Sequence, residues 1–111
     1  MKSKVEIDAG VCGFCTTVCA QSDNGQNVTF EIESGCQKIE EFSRVLQEKS
    51  PIDAYAEMSP GQDGVILSAA DTAVSGCCKG CIVPLGLFKA MQVAAGLALP
   101  KDVTLKIVKE D

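Results

Sequence analysis

Polar and apolar residues alternate along Lys4-Val5-Glu6-Ile7-Asp8-Ala9, the period of a strand with one buried face. Gly10-Val11-Cys12-Gly13-Phe14-Cys15 then breaks the pattern as a glycine-punctuated loop. Residues 16–22 are β-branched enough for a second strand, and Ser22-Asp23-Asn24-Gly25 signals a turn. Alternation returns in 27–33, with Val28, Phe30 and Ile32 on one face. Three strands joined by short links predict an antiparallel meander.

The period then changes. Ile39, Phe42, Val45 and Leu46 recur at helical spacing, with Glu40, Glu41, Arg44 and Glu48 on the opposite side. Ser34 followed three residues later by Gln37 suggests a capping box, which puts Cys36 in the first helical turn. Ser50-Pro51 ends that helix. Residues 59–64 read as a loop, and 65–74 as a short buried helix, although Val65-Ile66-Leu67 suits a strand equally well. Ser75-Gly76-Cys77-Cys78-Lys79-Gly80-Cys81 is a tight glycine-rich turn. Pro84 suits the first turn of a long apolar helix that Pro100 closes. Val103, Leu105 and Ile107 alternate with Thr104, Lys106 and Val108 and predict a last strand. The expected fold is a single α+β domain over 1–111. It has an antiparallel sheet of three to four strands, with two to three helices packed on one face.

The apolar stretch 82–99 is long enough to be weighed as a membrane span. Pro84, Gly86 and Gly96 interrupt it, and Lys89 places a charge near its middle, so a buried core helix is the expected reading. A helix apolar almost all round also allows burial in a homodimer interface. Residues 1–6 lack the apolar run of a signal peptide, which predicts a cytoplasmic protein. With a net charge of −5, one arginine and scattered lysines, no basic field is available for nucleic acid or an anionic membrane.

Seven cysteines and no histidine decide the candidate chemistry. The count is odd and the thiols cluster, so metal ligation is expected over a disulfide framework. Cys12-Gly13-Phe14-Cys15 is a C-x-x-C pair whose two intervening residues let both sulfurs reach one ion. Cys78 and Cys81 form a second such pair, Cys77 and Cys81 a wider one, and Cys36 is a third contribution. Without histidine, Cys₂His₂ zinc, a Cys–His nucleophile pair and a Rieske centre are excluded, which leaves zinc or an iron–sulfur cluster on thiolates alone. The expected ligands are Cys12, Cys15, Cys36 and Cys81, joined by Cys77 or its neighbour Cys78, since adjacent residues point in different directions. Cys19, mid-strand and facing away from Val18, reads as structural. Asp8, Asp53 and Asp71 read as solvated charge or caps.

The order of these features resembles the NifU-like iron–sulfur scaffold proteins and the small domains marked by a Thr-Ser-Cys-Pro-Asp motif. The likeness rests on strands, a cysteine loop, Ser34-Gly35-Cys36 opening a helix, and Cys81 just before the last long helix. It implies three thiol positions converging at one end of the sheet: Cys12 or Cys15, Cys36, and Cys81 or Cys77. It also implies a role in cluster assembly or transfer, with iron–sulfur acceptor or sulfur-donor proteins as partners. This chain departs from that family in carrying two cysteines in the early loop and three in the late one, and its late loop lacks the five-residue signature. Extra thiols favour a permanently held site, in a separate cysteine-rich family. The leading expectation is therefore a non-enzymatic metal-binding protein. The alternative is a thiol–disulfide or sulfur-relay protein using Cys12/Cys15 or Cys78/Cys81. A plain partner-binding domain with buried cysteines is the third reading.

Overall fold

A computed structural model describes residues 1–59, 61 and 64–111. These residues form a four-stranded antiparallel sheet and four α-helices, as the α+β pattern predicts. Strands β1 (Lys2–Asp8), β2 (Cys15–Gln21) and β3 (Asn27–Ser34) make the expected meander. The registers Asp8↔Cys15 and Thr16↔Ser34 bring the end of β1, the start of β2 and the end of β3 to one end of the sheet. Helix α1 (Gln37–Lys49) follows directly from β3 and buries Ile39, Phe42 and Leu46.

Two short elements escaped the sequence pattern. Strand β4 (Ile52–Asp53) pairs with Asn27 and Val28, giving the order β1-β2-β3-β4, and runs straight into helix α2 (Ala54–Glu57). Asp53 caps α2, accepting from the Tyr55 and Ala56 amides, while Gln26 donates to its other oxygen. Those bonds, the Gln26 contact foremost, hold its carboxyl below the usual carboxylate range. Helix α3 (Val65–Ala73) confirms the helical reading of that segment. The expected loop 59–64 lies partly outside the described residues.

The buried Glu57 carboxylate caps α3 from a distance, accepting from the Val65 and Ile66 amides at 2.7 Å each. It satisfies two of the amide donors that a helix start leaves open. Gly64 makes this approach possible, because a Cβ there would lie 2.8 Å from both carboxylate oxygens.

A 3₁₀ turn (Gly76–Gly80) leads to helix α4 (Val83–Ala94). By length and composition the run Gly76–Ala94 is apolar enough to cross a membrane, with a mean hydropathy of 1.3. The chain breaks it at residues 81–82, however, and the 12 residues of α4 span only about 18 Å, short of a bilayer core of roughly 30 Å. Val83, Leu87, Ala90, Met91 and Ala94 are buried in the core with Ile7, Val18 and Ala20. The expected core helix is what forms. Gly86 lets it lie close to β1, since a Cβ at that position would stand 2.5 Å from Ile7 Cδ1.

Three expectations need correcting. The capping box does not form: Cys36 is the α1 N-cap, and the Ser34 hydroxyl, committed to β3, instead accepts from Thr16 Oγ1 and the Cys36 amide. Helix α4 stops at Ala94, well before Pro100, because Gly96 turns the chain at φ +76°. The last strand is absent: residues 101–111 carry no secondary structure and are all exposed. An alternating pattern makes a strand only where a partner edge supplies hydrogen bonds, and this segment lies on none.

Glu57→Ala should lower stability by about 1–3 kcal/mol, the cost of leaving buried amide donors unpaired. Urea unfolding measures this directly, and an unchanged midpoint would show that the cap is dispensable.

Candidate metal centre

The β1–β2 connection is built to expose a thiol. Gly10 (φ +86°) and Gly13 (φ +76°) bracket a tight turn in which the Gly13 amide donates to the Gly10 carbonyl at 2.9 Å. Both adopt a backbone region that other residues rarely enter. Cys12 sits in this turn, exposed. The turn is tied back by Gly10 N–H donating to Asp8 Oδ1 and by Ala9 N–H donating to the Phe14 carbonyl. Phe14 leans over Gly35, where a Cβ would stand 3.3 Å from its ring. The loop of Cys12 therefore packs beside the start of α1.

Cys36 occupies that start. Its backbone is held by the Thr16–Ser34–Cys36 hydrogen-bond chain, and its carbonyl accepts from the Glu40 amide at 3.0 Å. Its sulfur makes no capping bond and stays free for other chemistry.

The third thiol loop is the 3₁₀ turn between α3 and α4. Cys78 and Cys81 are half-buried and, with Cys36, pack against the core, whereas Cys77 is exposed. The Cys81 amide donates to the Cys78 carbonyl at 2.9 Å, which draws the two residues into one tight turn. Lys38 of α1 reaches across to this turn, its Nζ 3.4 Å from both the Ser75 carbonyl and Cys78 Sγ. Lys79 pairs with Asp71 on α3.

Cys81 is where these thiols meet. Burial pushes its pKa up, and the Val83 N–H, donating to its sulfur, offsets part of that rise. The neighbouring thiols Cys12, Cys36 and Cys78 raise it further, because their charged forms repel a thiolate at Cys81. Cys81 is thus coupled electrostatically to thiols of its own turn and of two other loops at one end of the sheet. All seven cysteines are free. Among the described residues, no group of three or more cysteine, aspartate or glutamate side chains stands at metal-holding separation. The thiols are neighbours, yet not drawn into a closed shell.

Of the five sequence-predicted ligands, Cys12, Cys36 and Cys81 come together here. Cys15 and Cys77 do not. Cys15 opens β2 on the face opposite the buried Thr16, Val18 and Ala20. Cys19 lies on that same solvent face, between Lys4 and Glu31 on the neighbouring strands. The inward partner is Cys78, whose signal was its C-x-x-C spacing to Cys81. Lys38 was not singled out by the sequence pattern, because no local motif announces a side chain that crosses between elements. Asp53 and Asp71 serve a cap and an ion pair, as expected.

Comparison with known proteins gives one result. The model of a family of unknown function (DUF6951) matches residues 3–107, nearly the whole chain. No curated protein matches, and no solved structure matches.

Alkylation by iodoacetamide reports on the state of Cys81, since the thiolate is the reacting form. Its rate in the metal-free protein should rise only at higher pH than that of a free cysteine peptide. A profile on the acid side of the peptide's would contradict the shielding described here. The same shift makes the folded chain bind the Cys81 proton more tightly than the unfolded one. That contribution to stability is present below the ordinary thiol range and lost as pH rises through it.

Proposed function

The chain belongs to the DUF6951 family, and we propose that it holds a thiophilic metal centre, zinc or an iron–sulfur cluster, on Cys36, Cys78, Cys81 and Cys12. One observation carries this reading: Cys81 is coupled electrostatically to thiols from two other loops, with no disulfide among them. Soft sulfur donors without a histidine suit zinc and iron–sulfur clusters. The neighbouring thiols disfavour the charged form of Cys81 while no cation is bound. A bound cation reverses the sign of that term. An all-thiolate centre carries net negative charge, and Lys38 stands against Cys78 to balance part of it.

Closing the shell requires small movements of the two loops. The positive-φ glycines Gly10, Gly13 and Gly76, around which a Cβ would meet nothing within 4 Å, leave room for them. Zinc there would tie the three loops together. An iron–sulfur cluster would be either a fixed group or cargo passed to acceptor proteins, the role that the NifU-like resemblance implies. We place the protein in the cytoplasm, where thiols stay reduced.

The thiol–disulfide reading has its own support in the Cys78–Cys81 turn, whose residues are hydrogen-bonded together. It does not draw on Cys12/Cys15, because Cys15 faces away from the site. A reversible Cys78–Cys81 disulfide with a defined potential in metal-free protein would favour it.

Cobalt(II) titration of reduced protein separates the ligands from the bystanders. Cys36→Ser, Cys78→Ser and Cys81→Ser should each weaken binding about a hundredfold or more, since four thiolates share the roughly 10–16 kcal/mol of a structural zinc site. Cys15→Ser, Cys19→Ser and Cys77→Ser should leave it within about threefold, a difference well under the 1.4 kcal/mol of a tenfold change. Binding lost on Cys15→Ser but kept on Cys78→Ser would overturn the assignment.

A further inference from the structure

Residues 101–111 present an unused strand. Val103, Leu105 and Ile107 are exposed, Ile107 at 93%, and alternate with Asp102, Thr104 and Lys106. No folded protein gains by leaving three alternating large apolar residues in water. The only side-chain partnership within the segment is the exposed Lys109–Asp111 pair. With the arm included, the chain extends 48 Å along its longest axis against 29 and 27 Å along the others.

The structure also offers the complementary surface. In the order β1-β2-β3-β4, β1 is an edge strand, paired among the described residues with β2 alone. An open edge of this kind is a template for another strand. Its inner face carries Ser3, Val5 and Ile7, and its outer face Lys2, Lys4, Glu6 and Asp8. The chain leading to the arm passes beside it: Ser3 Oγ donates to the Ala90 carbonyl of α4 at 2.6 Å, and a Cβ on Gly96 would stand 3.1 Å from Met1. Because the arm leaves its own edge uncovered, the matching edge of an identical chain is its natural seat.

We propose that residues 102–108 of one copy add to β1 of a second copy, with Lys106 opposite Glu6, in a reciprocal arm-exchanged dimer. Both strand directions satisfy this pairing. Set parallel, Leu105 lies opposite Val5, Ile107 opposite Ile7, and Asp102 opposite Lys2. Set antiparallel, Leu105 lies opposite Ile7, Ile107 opposite Val5, and Glu110 opposite Lys2. In each register the apolar faces coincide and unlike charges meet. The exchange leaves the thiol loops where they are and so stands independently of the metal reading.

Sedimentation of the full chain under a thiol reductant tests the proposal, with circular dichroism confirming that every variant is folded. The wild-type chain should dimerise below about 100 µM. Lys106→Glu or Glu6→Lys should each weaken the dimer about tenfold, since each charge pair recurs twice in a two-fold dimer and opposed like charges are disfavoured. The double variant Glu6→Lys/Lys106→Glu should restore wild-type dimerisation. Leu105→Pro should give a folded monomer whose unfolding midpoint equals the wild type's when both are measured at a concentration too low for dimers. A chain that stays monomeric at about 100 µM would overturn the proposal, as would a dimer indifferent to Leu105→Pro. So would charge variants that the double substitution fails to rescue. A monomer whose midpoint falls on Leu105→Pro would place the arm on its own edge instead.

Discussion

The structure depends on covering one apolar sheet face. Val18, Ala20, Val28 and Phe30 line that face, and α1 and α4 supply the cover. Helix α1 leaves directly from the end of β3, so it starts at that end of the sheet. Helix α4 lies along β1 with Gly86 near Ile7 and Ala90 near Ser3, so its N-terminal end reaches the same place from the other side. The β1–β2 loop is there by the register of the meander. Packing alone therefore gathers three loops, and each carries at least one thiol. The convergence of Cys12, Cys36, Cys78 and Cys81 is a consequence of the fold.

That arrangement keeps Cys81 protonated while no ligand is bound. Burial and neighbouring thiols both work against the Cys81 thiolate, and the Val83 amide offsets part of this. Local structure is spent on the site as well: two positive-φ glycines shape the Cys12 turn, and the α1 N-cap is a cysteine that makes no capping bond. A serine or aspartate there would cap the helix with about 1 kcal/mol of stability. These choices agree with a thiol site.

Much of this was legible from residue patterns. Period-two alternation located β1 and β3, period 3.6 located α1, and the same alternation put Cys19 on the solvent face of β2. Glycine punctuation marked both thiol loops. What escaped was non-local. The Glu57 cap acts on amides eight and nine residues away, and Ser34 was drawn off its expected capping role by Thr16 on the adjacent strand. Cys77 and Cys78 could not be told apart because their difference is one step of rotation in a 3₁₀ turn. Cys15 matched a ligand motif but belongs to β2, and the pleat turns it away from Cys12. The C-terminal alternation predicted a strand that does not form, because a strand also needs an edge to pair with.

X-ray absorption at the metal edge of protein purified without oxygen tests the central claim most directly. The account predicts a bound zinc or iron whose nearest shell is sulfur alone, at about 2.3 Å. Protein that takes up neither metal, or a metal shell dominated by oxygen, would contradict it.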